Sequence, residues 1–404
     1  MAHREWQDLS TRGVHSVFGR CAGLYRGGLC HGRGTTDSGA ALARYAGRDG
    51  ARARSCARRT PHRAGQRRHL VEFAQTVTLT VRGRDYTGAA ITLGLTATQS
   101  NTPGGDPMSD VATMCAQMET GSGFIAALDQ SGGSTPKALA LYGVDADDYG
   151  SEDEMFAEIQ RMRARIILSP DFTSAKVIGA ILFEKTLNEM IEGQSVPAYL
   201  WNVRGVVPFL KIDKGLQDQA DDVQLLKPIP GLGDMLAQAK AMGVYGTKER
   251  SVVHGANASG IEAIVANQFD VAHEVLAAGM VPIIEPEANI HSESKAEAED
   301  ILKSELEKHL AALSAEELVM LKVTLPERAG LYDSLADHPN VLRVVALSGG
   351  YSTEDACARL TQNPKMIASF SRALTEGLNV KMSDAEFNTA LGQNISKIYD
   401  ASVA

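Results

Sequence analysis

From residue 108 onward the chain repeats one grammar: an apolar run of strand length, a polar or charged cluster, then a segment with helical periodicity. The apolar runs are the one ending at Asp129, then 177–183, 206–215, 244–250, 280–287, 317–326, 341–347 and 366–370. Helices are predicted over 110–118, 152–167, 234–242, 260–278 and 296–310, with further helical segments after 350 and 372. The strands read as nearly continuous hydrophobic runs without a period of two, so both of their faces must be covered. That requirement selects a parallel sheet wrapped by helices. About eight strand–helix repeats favour its closed form, an α/β fold of the (β/α)8 TIM-barrel type.

The polar residues fall where such a barrel would use them. Active sites in this architecture lie at the C-terminal ends of the strands. Here those ends carry Asp129, Lys211 with Asp213, Lys248 with Arg250, Glu285 with Glu287, Lys322, the Ser348-Gly349-Gly350 turn, and Ser371-Arg372. An open doubly wound sheet would gather its site at one switch point, so clusters on nearly every strand support closure. Lys322 is the most telling of them, a lone lysine in the apolar run ELVMLKVTLP. Apolar burial or neighbouring cations disfavour the ammonium form and leave an amine able to attack a carbonyl. The bland alternative for one strand lysine is that it reaches out to solvent. The Gly-Gly turn and Arg372 match the place where barrels bind phosphate through backbone N–H groups, and the excess of cations suggests a doubly anionic substrate. Lys214, Glu184 and Glu249 read as supporting charges.

Composition divides the chain near residue 108. Residues 1–107 contain sixteen arginines, no lysine and few acids, although the full 404 residues carry a formal net charge of −9. This stretch is too poor in apolar residues to build a core, and disorder is expected there. Its origin has three readings: an organellar leader, a basic nucleic-acid-binding arm, or translated upstream DNA. The last is favoured because Met108 is the first methionine after Met1. The expected domains are therefore an Arg-rich extension over 1–107 and a barrel over 108–404. Cys115 and Cys357 lie far apart and read as free thiols of a reducing compartment. No apolar run reaches membrane-spanning length.

In order and at sensible spacings, the chain carries GFIAALDQSGGSTPKAL, VVPFLKIDKG, GTKERS, VPIIEPE, VMLKVTLP, VVALSGGYS and ASFSRAL. From about Gly121 to the C-terminus it closely resembles class I fructose-bisphosphate aldolase of the short bacterial type. The resemblance implies cytoplasmic, metal-independent cleavage of fructose 1,6-bisphosphate through a lysine Schiff base. It assigns Lys322 as the Schiff-base lysine and Glu285 as the acid/base of carbinolamine dehydration, with Glu287 beside it. Lys248 and Arg250 match the cationic pair near the iminium, and Asp129 the carboxylate that takes the C4 hydroxyl proton. Ser131, Ser134, Lys137 and Lys211 fall where the family holds the substrate chain and distal phosphate. Ser348, Gly349, Ser369 and Arg372 match the other phosphate site. Many members also use a tyrosine on a mobile C-terminal tail, for which Tyr399 is a loose match.

A sugar-phosphate substrate is thus expected, with no cofactor, metal, nucleic acid or membrane partner, and with homo-oligomerisation left open. His254, His273, His291, His309 and His338 read as lying in helices and loops away from the strand ends, which disfavours a zinc site. Two alternatives remain at this stage. One is a Schiff-base aldolase or transaldolase acting on another sugar phosphate, and the other a non-catalytic nucleic-acid-binding protein using the basic N-terminus.

Overall fold

The eight expected strands all form, and they are parallel neighbours in sequence order. The computed structural model describes residues 107–404. The strands are β1 Phe124–Leu128, β2 Val177–Leu182, β3 Val207–Lys211, β4 Gly246–Val253, β5 Val281–Ala288, β6 Val319–Thr324, β7 Val341–Leu347 and β8 Met366–Ala368. Between β8 and β1 the sheet approaches closure where Ala127 N donates to Phe370 O at 3.3 Å. The longer helices are α1 Pro107–Thr120, α2 Ser134–Tyr142, α3 Glu152–Leu168, α4 Leu232–Ala241, α5 Ala258–Ala277, α6 Lys295–Leu310, α7 Thr353–Leu360 and α8 Asp384–Ser402. β4 runs three residues beyond the expected 244–250, and Val223–Gln224 pairs antiparallel with its far end. Lys248 and Arg250 therefore project from mid-strand. The extension expected over 1–107 lies outside the described residues except for Pro107, where α1 begins.

Strand alternation sorts the barrel into two cores. Residues pointing outward pack beneath the helices, together with Phe156, Phe269 and Phe387. Inward residues of the lower half, including Ile125, Ile181, Phe209, Ile283 and Met320, form a separate cluster with Met114 and Met118 of α1. Arg343 fastens α1 to the barrel, its Nε donating to Met118 O at 2.8 Å and its Nη2 to Gly121 O at 3.1 Å. The polar strand ends thus stand on an apolar floor that α1 plugs from below. Cys357 is a free thiol, but Cys115 of α1 is disulfide-bonded, which corrects the reading of a thiol there. Its sequence distance from Cys357 argued only against that one pairing. Among the described residues no helix is long and apolar enough to cross a membrane.

Close approach at the start of β4 requires glycine. A Cβ on Gly246 would lie 2.1 Å from Val281 O and 2.9 Å from the Phe209 ring. Neither neighbour is a flexible side-chain end, so Gly246→Ala should destabilise the barrel by roughly 1–3 kcal/mol through overpacking. Urea unfolding measures this directly; a midpoint equal to that of the parent chain would contradict it.

Candidate active site

Parallel register brings the charged strand ends face to face. Lys211 of β3 is level with Lys248 of β4, and Arg250 is level with Glu285 of β5. Lys248 is only 2 % exposed, so its charge must be met by protein groups. Its Nζ lies 2.7 Å from Asp129 Oδ2, 3.0 Å from Glu285 Oε2 and 4.0 Å from Asp213 Oδ2. Burial alone would push Lys248 down, but Asp129, Glu285 and Asp213 together raise it well above the ordinary lysine range. Burial likewise favours a neutral Asp129, and Lys248, then Lys322 and Lys211, overcome it and hold that carboxyl well below the usual range. Lys248 is therefore the cationic hub of three carboxylates from three strand ends.

Lys322, 3 % exposed, projects from β6 beside this hub, with its Nζ 3.1 Å from Glu285 Oε1. A carboxylate stands next to the amine where the sequence suggested preparation by cations, so proton transfer to Glu285 is the nearer route. Glu285 Oε2 is buried without a directed hydrogen bond; the Lys248 contact at 3.0 Å meets it by charge alone. Arg250 Nε pairs with Glu287, while Asp213 accepts from Lys211 Nζ at 2.6 Å and from Arg250 N at 3.3 Å.

A cavity of about 1070 Å³ opens above these groups. Fourteen of the residues singled out in the sequence line it: Asp129, Ser131, Ser134, Lys137, Lys211, Lys248, Arg250, Glu285, Glu287, Lys322, Ser348, Gly349, Ser369 and Arg372. Ser131, Ser134 and Lys137 stand at one rim, where Ser134 Oγ donates to Ser131 O at 2.9 Å and accepts from Ser131 N at 3.0 Å. Ser348, Gly349 and Arg372 come from the ends of β7 and β8. Ser369 Oγ is buried in the wall with no hydrogen-bond partner among the described residues.

Other positions depart from the sequence pattern. Glu249 alternates to the outer face of β4 and is fully buried. Burial first, then Asp213, pushes its carboxyl well above the usual range, and it stands behind the site. Lys214 and Glu184 do pair, at 2.5 Å, on the cavity rim. His291 lines the cavity, against the reading that kept the histidines away; the loop after β5 folds back over the strand ends. Among the described residues no group of three or more His, Cys, Asp or Glu is gathered to hold a metal ion. Tyr399 lies on α8 with its ring 5.8 Å from Lys176 Nζ, just before β2 and hence at the opposite end of the barrel. It does not line the cavity.

Arg163 of α3 is a support that no local motif reveals. It is 1 % exposed, donates to Gln130 O and, at 3.1 Å, to Thr186 Oγ1, and burial pushes it down to about 10 against the pull of Asp129. Gln130 in turn donates to Ser371 Oγ at 2.8 Å, tying the end of β1 to that of β8. One signal was available: Arg163 falls in the apolar stripe with Phe156, Ile159 and Ile166, where a cation needs a buried partner.

Comparison with known proteins follows the same lines. The family model for glycolytic fructose-bisphosphate aldolase class I matches residues 110–327. Fructose-bisphosphate aldolase class 1 of Synechocystis sp. is 54% identical over 287 residues, 71% of this chain and 96% of that protein. Among solved structures, fructose-bisphosphate aldolase from Plasmodium falciparum in complex with TRAP and a small-molecule inhibitor aligns with a TM-score of 0.61. That alignment covers 74% of this chain and 96% of the other at 20% identity, and it bears on the fold alone.

Proposed function

The chain belongs to the class I fructose-bisphosphate aldolase family, and from that premise we infer how its residues carry out the reversible cleavage of fructose 1,6-bisphosphate to dihydroxyacetone phosphate and glyceraldehyde 3-phosphate. The observation that best supports the assignment is the buried pair of Lys322 Nζ and Glu285 Oε1, 3.1 Å apart beneath a cavity edged with cations. Lys322 gives its proton to Glu285 and attacks the C2 ketone. Glu285 then protonates the carbinolamine hydroxyl, which leaves as water and yields a protonated imine. Lys248 and Arg250 hold the surrounding carboxylates in place around this cation.

Asp129, kept ionised by Lys248, takes the proton of the C4 hydroxyl. The C4 oxygen forms the aldehyde as the C3–C4 bond breaks, and its electron pair moves into the imine to give a neutral enamine. Protonation at C3 and hydrolysis of the imine return the free lysine and dihydroxyacetone phosphate. The two ends of the cavity suit two phosphates: Ser131, Ser134, Lys137 and Lys211 toward β1 and β3, and Ser348, Gly349, Ser369 and Arg372 toward β7 and β8. This favours a bisphosphate over singly phosphorylated sugars. A glycolytic reaction of this kind suits a cytoplasmic enzyme.

Reduction with borohydride in the presence of dihydroxyacetone phosphate tests the assignment. Peptide mapping should find one adduct, on the peptide that contains Lys322. Labelling of Lys248 or Lys211 instead would move the nucleophile and overturn the roles given above.

A further inference from the structure

Behind the catalytic strand ends runs a chain of polar contacts that the reaction does not use. It begins at Lys295 in the first turn of α6, which is 3 % exposed and donates to Glu299 Oε1 at 2.5 Å and to Leu325 O at 2.9 Å. Glu299 Oε2 accepts from Glu327 N at 3.0 Å, and Glu327 Oε1 lies 3.3 Å from Lys295 Nζ. Glu327 Oε1 in turn accepts from the Tyr351 hydroxyl at 2.9 Å. Arg359 of α7 covers the Tyr351 ring at 4.3 Å and reaches Glu327 Oε2 at 3.7 Å. These residues join the segments that follow β5, β6 and β7, the same strands that supply Glu285, Lys322 and the Ser348-Gly349-Gly350 turn.

That turn needs an external restraint. Gly349 and Gly350 have φ of 59° and 132°, values open mainly to glycine, and a glycine pair is the most freely flexing backbone a chain can offer. On one side the pair abuts Ile290, whose side chain would lie 2.8 Å from a Cβ on either glycine; a Cβ on Gly350 would also lie 3.7 Å from Arg372 Nη2. On the other side Tyr351 is the first residue able to anchor it, through Tyr351 N donating to Ser348 O at 2.9 Å and through its hydroxyl on Glu327. Burial and the Glu327 bond push the phenol up to about 12, so it remains a donor throughout the neutral range.

We propose that Tyr351, held by Glu327, is a positioning residue that fixes the Gly349–Gly350 turn for phosphate binding. This rests on the reading of Ser348, Gly349, Ser369 and Arg372 as a phosphate site. Tyr351 does not line the cavity, so its effect falls on binding and not on the chemical step. Toward Tyr351 the role of Glu327 is that of an acceptor, which a neutral amide oxygen can also fill, while its charge meets Lys295 and Arg359.

The test compares Tyr351→Phe, Glu327→Gln and, as a reference for loss of the site, Arg372→Ala. Each is titrated with inorganic phosphate by calorimetry and then assayed on fructose 1,6-bisphosphate. One hydrogen bond lost at a half-exposed position should weaken phosphate binding and raise KM by roughly three- to tenfold in Tyr351→Phe. Its kcat should stay within about twofold, and Glu327→Gln, which keeps an acceptor oxygen for Tyr351, should raise KM less than Tyr351→Phe does. Unchanged phosphate affinity and KM in Tyr351→Phe, or a fall in kcat at constant KM, overturns the proposal. Loss in neither Tyr351→Phe nor Arg372→Ala overturns the site together with its positioning. The phosphate titration decides the matter even if the parent enzyme fails to cleave fructose 1,6-bisphosphate, an outcome that would sink the assigned reaction separately.

Discussion

Replacing Lys322 with alanine should lower kcat/KM on fructose 1,6-bisphosphate by a factor on the order of 10⁴ to 10⁶, the usual consequence of deleting a covalent nucleophile. The fold should survive the change. Glu285 keeps Lys248 at 3.0 Å once the Lys322 ammonium is gone, so no buried carboxylate is stranded without a cation. Loss of activity should therefore accompany a nearly unchanged thermal midpoint and circular dichroism spectrum. A variant retaining turnover within tenfold of the parent would show that the carbon–carbon bond breaks without a covalent link to this residue.

Lys248→Met should behave in the opposite way, damaging stability as well as rate. Methionine fills a similar volume but leaves Asp129, Glu285 and Asp213 facing one another in a buried space. Removing one partner from such a buried network costs about 3–5 kcal/mol, and the loss of charge stabilisation should lower kcat by roughly 10² to 10⁴. The pH dependence has a definite sign. In the parent, Asp129 is depressed below its ordinary value of 3.8, so its contribution is present above that value and is lost as pH falls below it. Lys248 is raised above its ordinary 10.5, so its contribution is present below that value and fades as pH rises through the higher one. In the variant, burial pushes Asp129 upward with its strongest opponent gone. The stability gap should be widest between about pH 5 and 10 and should narrow on acidification, as denaturant titrations across pH would reveal. A gap that widens toward pH 3 would mean that Lys248 is not the counter-charge described.

The residues changed in these two variants belong to the part of the site that was legible in the sequence. Lys322, Glu285, Lys248 and Asp129 are legible because each is a charge set in or just after an apolar strand, where the cost of burial makes an idle role improbable. The barrel itself is legible for a related reason: parallel strands covered on both sides must be apolar almost throughout. What stayed hidden are contacts between residues far apart in sequence. Arg163 reaches Gln130 across 33 positions, and Tyr351 meets Glu327 across 24, and neither pair has a local pattern. The outward turn of Glu249 follows from strand alternation once Lys248 is known to face inward, but its full burial depends on helix packing that no strand motif encodes. Tyr399 shows the converse error: position near the C-terminus suggests a tail, yet α8 is a capped helix of nineteen residues that holds it at the far end of the barrel.

The floor closed by α1 imposes an order on events above it. Among the described residues the cavity opens on the side of the strand ends, away from that floor, so substrate and both products share that face. The aldehyde half, which has no bond to the protein after cleavage, can depart at once. The ketone half stays tethered at the bottom until water severs the tether, and only then is the enzyme free for another molecule.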